Sequence, residues 1–258
     1  MFENEIHDYL RKHDFAAFQP KVVLFDMDGV LYNSMPHHAV AWKESMKTFG
    51  LDMTEADVYA TEGMKGVDTI RMMVKQQRGR DISEEEAQKM YDEKGRLFHQ
   101  MPEAPIFNGV LDLMSKIKKS GLSIGIVTGS AQRKLIKRLV NDFHHFVSEE
   151  NIVTAYSIKH GKPAPDPYLK GLQLTGNHQP WEGIVVENAP MGIRAGVAAQ
   201  IFTVAINSGP LPDSTLRKEG TDLLFHQMTE FCAVWEQLLD AAKHAKTQLQ
   251  PTIKKGKM

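Results

Sequence analysis

Two aspartates, Asp26 and Asp28, stand two residues apart where the short apolar run VVLF ends, and a glycine follows them. A buried strand has no packing use for carboxylates, because an unpaired buried charge is costly. Two residues apart on an extended chain, however, the pair points to one side, so one carboxylate can attack while the other manages protons. Further polar groups close other apolar runs or precede a helical segment. Thr128, Gly129 and Ser130 follow residues 122–127, Glu187 and Asn188 follow residues 183–186, and Lys162 lies in KHGKPAPDPYL. This is equipment for phosphoryl transfer through an aspartyl phosphate. A carboxylate can attack phosphorus only if an ion shields their mutual repulsion, and Mg2+ held by oxygen ligands does so. Asp26 is the expected nucleophile. Asp28 is the expected acid and base, with its backbone carbonyl available to the metal. Thr128, with Gly129 and Ser130, is expected to bind phosphoryl oxygens, and Lys162 to offset the charge shared by nucleophile and phosphoryl group.

Such groups meet only if the elements carrying them converge. Apolar runs at residues 22–25, 122–127, 183–186 and 201–206 alternate with segments of helical spacing. That alternation predicts an α/β fold, a parallel sheet with helices on both faces, whose binding crevice lies at the carboxyl ends of the strands. Between residues 35 and 101 it stops. HHAVAWKESMKTFG, VDTIRMMVKQQRG and SEEEAQKMYDEKGRLFHQM all have helical spacing, and Ser83 with Glu86 forms a capping-box pattern. A helical insert directly after the first strand is therefore expected. Residues 3–18 predict an amphipathic helix, with Ile6, Tyr9, Leu10 and Phe15 on its apolar side, as an extension over residues 1–20. Residues 243–258, with lysines, a proline and a glycine but no apolar face, predict a loose tail.

Composition narrows the function classes. The 258 residues hold 31 Lys and Arg against 32 Asp and Glu, so no global field favours nucleic acid or an anionic membrane. Cys232 is the single cysteine and cannot form an internal bridge, and the eleven histidines show no zinc spacing. No run reaches the roughly 18 apolar residues of a membrane helix, and the start MFENEIHDYLRKHD is charged. A cytoplasmic setting and a small phosphorylated substrate are expected. The oligomeric state stays open, with a monomer the simpler expectation.

In order along the chain, DMDGV, TGS, GKPAPDPYL and ENAPMGIRAG resemble the four motifs of the haloacid dehalogenase-like superfamily, in its β-phosphoglucomutase-like branch. The resemblance covers roughly residues 21–242. It implies a Rossmann-like core of residues 21–34 and 102–242, closed over by a helical cap of residues 35–101. It also implies Asp26 as nucleophile, Asp28 as acid and base, Thr128 and Lys162 as phosphate ligands, and Mg2+ on Asp26, the Asp28 carbonyl, Glu187 and Asn188. Most members carry a second acid where Asn188 stands. The missing charge implies weaker metal binding unless a phosphate-rich substrate adds ligands.

ENAP, with NSMPHH after the first motif and EG early in the cap, is similar to a bacterial inorganic pyrophosphatase of this branch. His38 aligns with a histidine that in the mutases contacts the reacting region or hinge. Glu62 and Lys65, in TEGMKGVDTI, lie in the loop expected to face the core, and are the candidate substrate groups. A β-phosphoglucomutase has a longer loop there, with an arginine that grips the distal phosphate. Its absence here favours hydrolysis. The resulting expectation is a magnesium-dependent phosphohydrolase acting on a small phosphorylated metabolite or inorganic pyrophosphate. A sugar phosphomutase is the enzymatic alternative. A regulatory phosphoacceptor module is the other, although Asp28 and the size of the insert count against it.

Overall fold

A computed structural model describes residues 1–130 and 133–245. The chain opens with α1 (Glu3–His13), whose first turn carries Glu3 and Glu5 and whose last carries Arg11, Lys12 and His13, the arrangement that complements a helix dipole. The helix is shorter than its apolar spacing predicts, because Asp14 turns left-handed. Phe15 and Phe18 instead fold back against Tyr9 edge-on, at centroid distances of 5.8 and 5.4 Å. β1 (Val22–Phe25) follows, buried at every position.

Four helices come next: α2 (Met35–Thr48), α3 (Glu55–Thr61), α4 (Gly66–Arg78) and α5 (Glu84–His99). Ser83 and Glu86 form the expected capping box of α5. Thr54 and Asp57 form another, which starts α3, a seven-residue helix that its spacing alone did not disclose. The four helices pack around an apolar cluster of their own that includes Trp42, Met46, Val58, Ile70 and Met73. The chain then alternates through α6 (Val110–Lys119), β2 (Ser123–Val127), α7 (Arg133–Phe143), β3 (Ile152–Val153), α8 (Asp166–Leu174), β4 (Gly183–Glu187), α9 (Pro190–Ala198), β5 (Phe202–Ile206), α10 (Asp213–Lys218), β6 (Leu223–Phe225), α11 (Met228–Ala233) and α12 (Trp235–His244). The expected tail falls largely on residues 246–258, outside the described residues; Lys243 and His244 belong to α12.

The six strands are parallel, in the order β3-β2-β1-β4-β5-β6. This is the doubly wound, Rossmann-like arrangement, and the order reverses between β1 and β4, the switch point where such sheets bind ligands. The two strands missing from the sequence expectation are the edges, β3 and β6, of two and three residues. Runs so short carry no readable period. At the opposite end of the sheet α1 is stitched down by Tyr9, which is fully buried. Its hydroxyl donates to Gln200 O at 2.9 Å, and its ring meets Phe202 edge-on at 5.3 Å. Replacing a buried aromatic residue by alanine costs about 3–5 kcal/mol. Tyr9→Ala is therefore expected to lower the unfolding free energy by about that amount in a urea titration, and a loss under about 1 kcal/mol would show α1 to be a loosely held appendage.

Candidate active site

The tips of β1, β2 and β4 come together around one buried ammonium. Lys162, 3% exposed, donates to Asp26 Oδ1 beyond β1, to Val127 O at the end of β2 (3.2 Å) and to Glu187 Oε1 at the end of β4 (2.6 Å). An ammonium has three N–H groups, and here each has an acceptor. Burial alone would lower the Lys162 pKa, but the adjoining Asp26 and Glu187 carboxylates hold it above the usual lysine value. Glu187 is equally saturated. Its Oε1 also accepts from the Tyr168 hydroxyl at 2.6 Å, and its Oε2 from the amides of Asn188 and Ala189 at 2.9 and 3.3 Å. The space it fills exists because residue 192 is glycine: a Cβ there would lie 1.7 Å from Glu187 Oε1.

Asp26 keeps its other oxygen, Oδ2, buried and without a hydrogen-bond partner. Its pKa is raised to about 7 because burial, with Glu187 and Asp28, outweighs the downward pull of Lys162. Asp28 differs. Its Oδ1 accepts from Ser34 Oγ at 2.6 Å and lies 3.1 Å from His38 Nε2, near enough to pair although not in line for a straight hydrogen bond. Burial pushes its carboxyl up, but His38, Ser34 and Lys94 outweigh burial and hold it below the usual carboxylate range. His38 is in turn met at Nδ1 by Lys94 Nζ at 2.8 Å. Because an ammonium can only donate, Nδ1 is the acceptor and the imidazole proton sits on Nε2, facing Asp28. Burial and Lys94 keep His38 below its ordinary pKa.

Asp26, Asp28, His38 and Lys94 line a cavity between the sheet edge and the insert, together with Trp42, Glu62, Tyr91, Thr128, Gly129 and Ser130. Thr128 closes β2 with its amide on Val153 O (2.9 Å) and its Oγ1 accepting from Ser130 N (3.0 Å). Glu62 is partly buried on the insert side. Burial drives its pKa to about 8, with Asp28 and Asp26 adding to the rise and Lys94 opposing it. Among the described residues no three His, Cys, Asp or Glu side chains are grouped to hold a metal ion. The buried side-chain oxygens without partners that fit a hard cation are Asp26 Oδ2 and Asn188 Oδ1. A set with one carboxylate suits Mg2+, which keeps several waters and takes ligands from substrate phosphates.

Residues 23–206 match the family model described as haloacid dehalogenase-like hydrolase. The chain belongs to this family. It is 30% identical to hexitol phosphatase A of Escherichia coli over 210 residues, 81% of this chain and 92% of that one. It is 25% identical to beta-phosphoglucomutase of Bacillus subtilis over 230 residues, 84% of this chain and 96% of that one. A solved structure from Bacteroides vulgatus, provisionally described as a beta-phosphoglucomutase, superposes with a TM-score of 0.90 at 44% identity, covering 94% of this chain and 98% of its own.

The geometry of this family member gathers Asp26, Asp28, Thr128, Gly129, Ser130, Lys162, Glu187, Asn188, His38 and Glu62 in one place, but redistributes two of the expected roles. Glu187 has all four lone-pair positions taken by Lys162, Tyr168 and two amides, so it holds the lysine and leaves Asn188 as the open oxygen at the β4 tip. Lys65 does not line the cavity; its Nζ donates to Ile158 O (3.0 Å) and Lys159 O (2.8 Å) on the outer side of the loop. Two residues of the site were missed. Tyr168 reads in the sequence as a helix core position. Lys94 lies in α5 at helical spacing with Ala87, Met90, Tyr91 and Phe98. A charge in the middle of that apolar stripe was the available signal. It is 2% exposed and faces the rings of Phe98 and Trp42 at 4.8 and 5.2 Å. Gly192→Ala, which has no room beside Glu187, is expected to cost about 3–5 kcal/mol by parting a buried ion pair. Tyr168→Phe, which removes one hydrogen bond to the carboxylate, is expected to cost about 1.5–3 kcal/mol. Denaturant titration of both should preserve that order; equal values would mean that Glu187 is not the group being displaced.

Proposed function

We propose that this protein is a magnesium-dependent phosphohydrolase that works through an Asp26 phosphate, with the helical insert acting as a cap over the reaction. The observation that carries the reading is the asymmetry of Asp26, one oxygen fixed by Lys162 and the other free and turned away from every donor. Held this way, the carboxylate is presented as a nucleophile at no further ordering cost. Its free oxygen attacks phosphorus, the bond from phosphorus to the leaving oxygen breaks, and Asp28 gives that oxygen its proton. Resting Asp28 favours the base form; negative charge on an arriving phosphate draws the proton onto it. Water then attacks the phosphorus, its proton passes to Asp28, and the bond to Asp26 breaks to free phosphate. His38 keeps Asp28 oriented throughout, with Lys94 fixing the imidazole tautomer. The Thr128 hydroxyl and the Gly129 amide hold phosphoryl oxygens, with the Ser130 amide fixing Thr128 Oγ1. Mg2+ would be held by Asn188, the Asp28 carbonyl and the lone pair of Asp26 not engaged in attack, and would supply charge neutralisation on the phosphoryl group.

The relatives named as a hexitol phosphatase and a beta-phosphoglucomutase support a phosphorylated carbohydrate as the substrate class. A second reading, inorganic pyrophosphate, is favoured by the buried Lys94 ammonium on the insert side of the cavity, where it would meet an anionic leaving group. A screen of phosphate release across hexitol and hexose phosphates, pyrophosphate and nucleotides, with Mg2+ present, decides between them. Asp26→Asn is expected to lower the best rate at least about a thousandfold, and Asp28→Asn about a hundred- to ten-thousandfold. Chelation should stop turnover and added Mg2+ restore it. A mutase would instead isomerise a sugar phosphate, need a bisphosphate primer and release little phosphate. Full turnover in Asp26→Asn would remove the aspartyl-phosphate mechanism altogether.

A further inference from the structure

We infer that Lys65 is a latch that holds the helical insert shut against the core, and through that contact positions the Lys162 segment. The loop between α3 and α4 approaches the sheet edge closely, and glycines on both sides make room for it. A Cβ on Gly129 would lie 2.7 Å from Gly63 O, one on Gly63 would lie 2.9 Å from Lys162 Cδ, and one on Gly161 would lie 2.9 Å from Lys65 Cγ. Side chains at these three places would hold the surfaces apart. Lys65 lies at the edge of this seam, immediately before α4, and extends across it to the carbonyls of Ile158 and Lys159, 93 and 94 residues away in sequence. Those carbonyls stand four and three residues ahead of Lys162. The latch therefore grips the segment that carries Lys162.

The chemistry of the contact suits a catch that opens on every cycle. The same loop forms one wall of the cavity, since Glu62, Gly63, Met64 and Gly66 all line it, so its position bears on how a substrate is enclosed. A hydrogen bond from a charged donor contributes about 1.5–3 kcal/mol when made in place of water, and less where solvent reaches it. Two such bonds to neutral carbonyls, from a partly exposed lysine, bias closure without locking it. A substrate-binding role is disfavoured, because the ammonium is engaged by two carbonyls and Lys65 does not line the cavity.

Hydrogen–deuterium exchange on the full chain tests the latch without reference to its reaction, and kinetics with p-nitrophenyl phosphate, which rest on the phosphohydrolase reading, form the second arm. In Lys65→Met, amide exchange is expected to quicken about tenfold both in residues 61–66 and in residues 158–162, the value for about 1.4 kcal/mol of lost closure. Gly161→Val, whose side chain occupies the path of the Lys65 stem, should produce the same change, and the double variant no more than either alone. Lys65→Arg should return most of the protection. In the kinetic arm KM is expected to rise about tenfold with kcat altered less than about threefold. Unchanged exchange at residues 158–162 in Lys65→Met, or additive effects in the double variant, would overturn the latch. If wild-type protein released no p-nitrophenol, the hydrolytic reading would be weakened while the exchange data still decided the latch.

Discussion

A single ammonium organises the reactive edge of the sheet. Lys162 is buried, and burying a charge is tolerable only if the groups around it satisfy it completely. Its three acceptors come from the ends of three neighbouring strands, β2, β1 and β4, so satisfying one side chain fixes the spacing of all three tips. Glu187 and Tyr168 extend the same logic outward, each filling a valence that the other leaves. Gly192 makes room for the carboxylate at the start of α9, where the helix amides favour negative charge. Everything proposed for Asp26 follows from this frame, because a carboxylate held on one side by a fixed donor can turn only its other oxygen to the cavity.

Charge balance explains what surrounds the frame. Four acids, Asp26, Asp28, Glu62 and Glu187, crowd a space that supplies two lysines and a neutral histidine. The pKa values of Asp26 and Glu62 are displaced upward, to about 7 and about 8, as that crowding requires. An asparagine at position 188 spares the site a fifth negative charge while still contributing an oxygen. Lys94 reaches in from the insert to His38, whose Nε2 lies 3.1 Å from Asp28 on the core, so the surroundings of Asp28 are complete only when the two parts meet.

Much of this was legible in the sequence, for a physical reason. Strand ends in a parallel sheet converge whatever the loops do, so the polar residues closing apolar runs, Asp26, Asp28, Thr128 and Glu187, could be assembled without coordinates. The edge strands β3 and β6 were not legible, because two or three residues show no period. Side-chain direction was not legible either. Lys65 and Glu62 lie in one loop with the same apparent claim on a ligand, yet the backbone turns one toward the carboxylates and the other toward carbonyls. Glu187 was assigned to a metal because residue type does not reveal which lone pairs are already taken. Lys94 was overlooked because a helical pattern was read for its hydrophobic members, when the exception within the stripe was the informative residue.

The glycine seam between insert and core has a kinetic meaning. Glycines there make room for the Gly63 carbonyl and for the stems of Lys162 and Lys65, and core and insert each have an apolar cluster away from the seam, with Leu211 of the core packed against that of the insert. Swinging the joint apart thus uncovers little greasy surface and incurs little of the hydration penalty that resists separation of ordinary interfaces. Such a joint can work rapidly and often without putting the integrity of either half at risk.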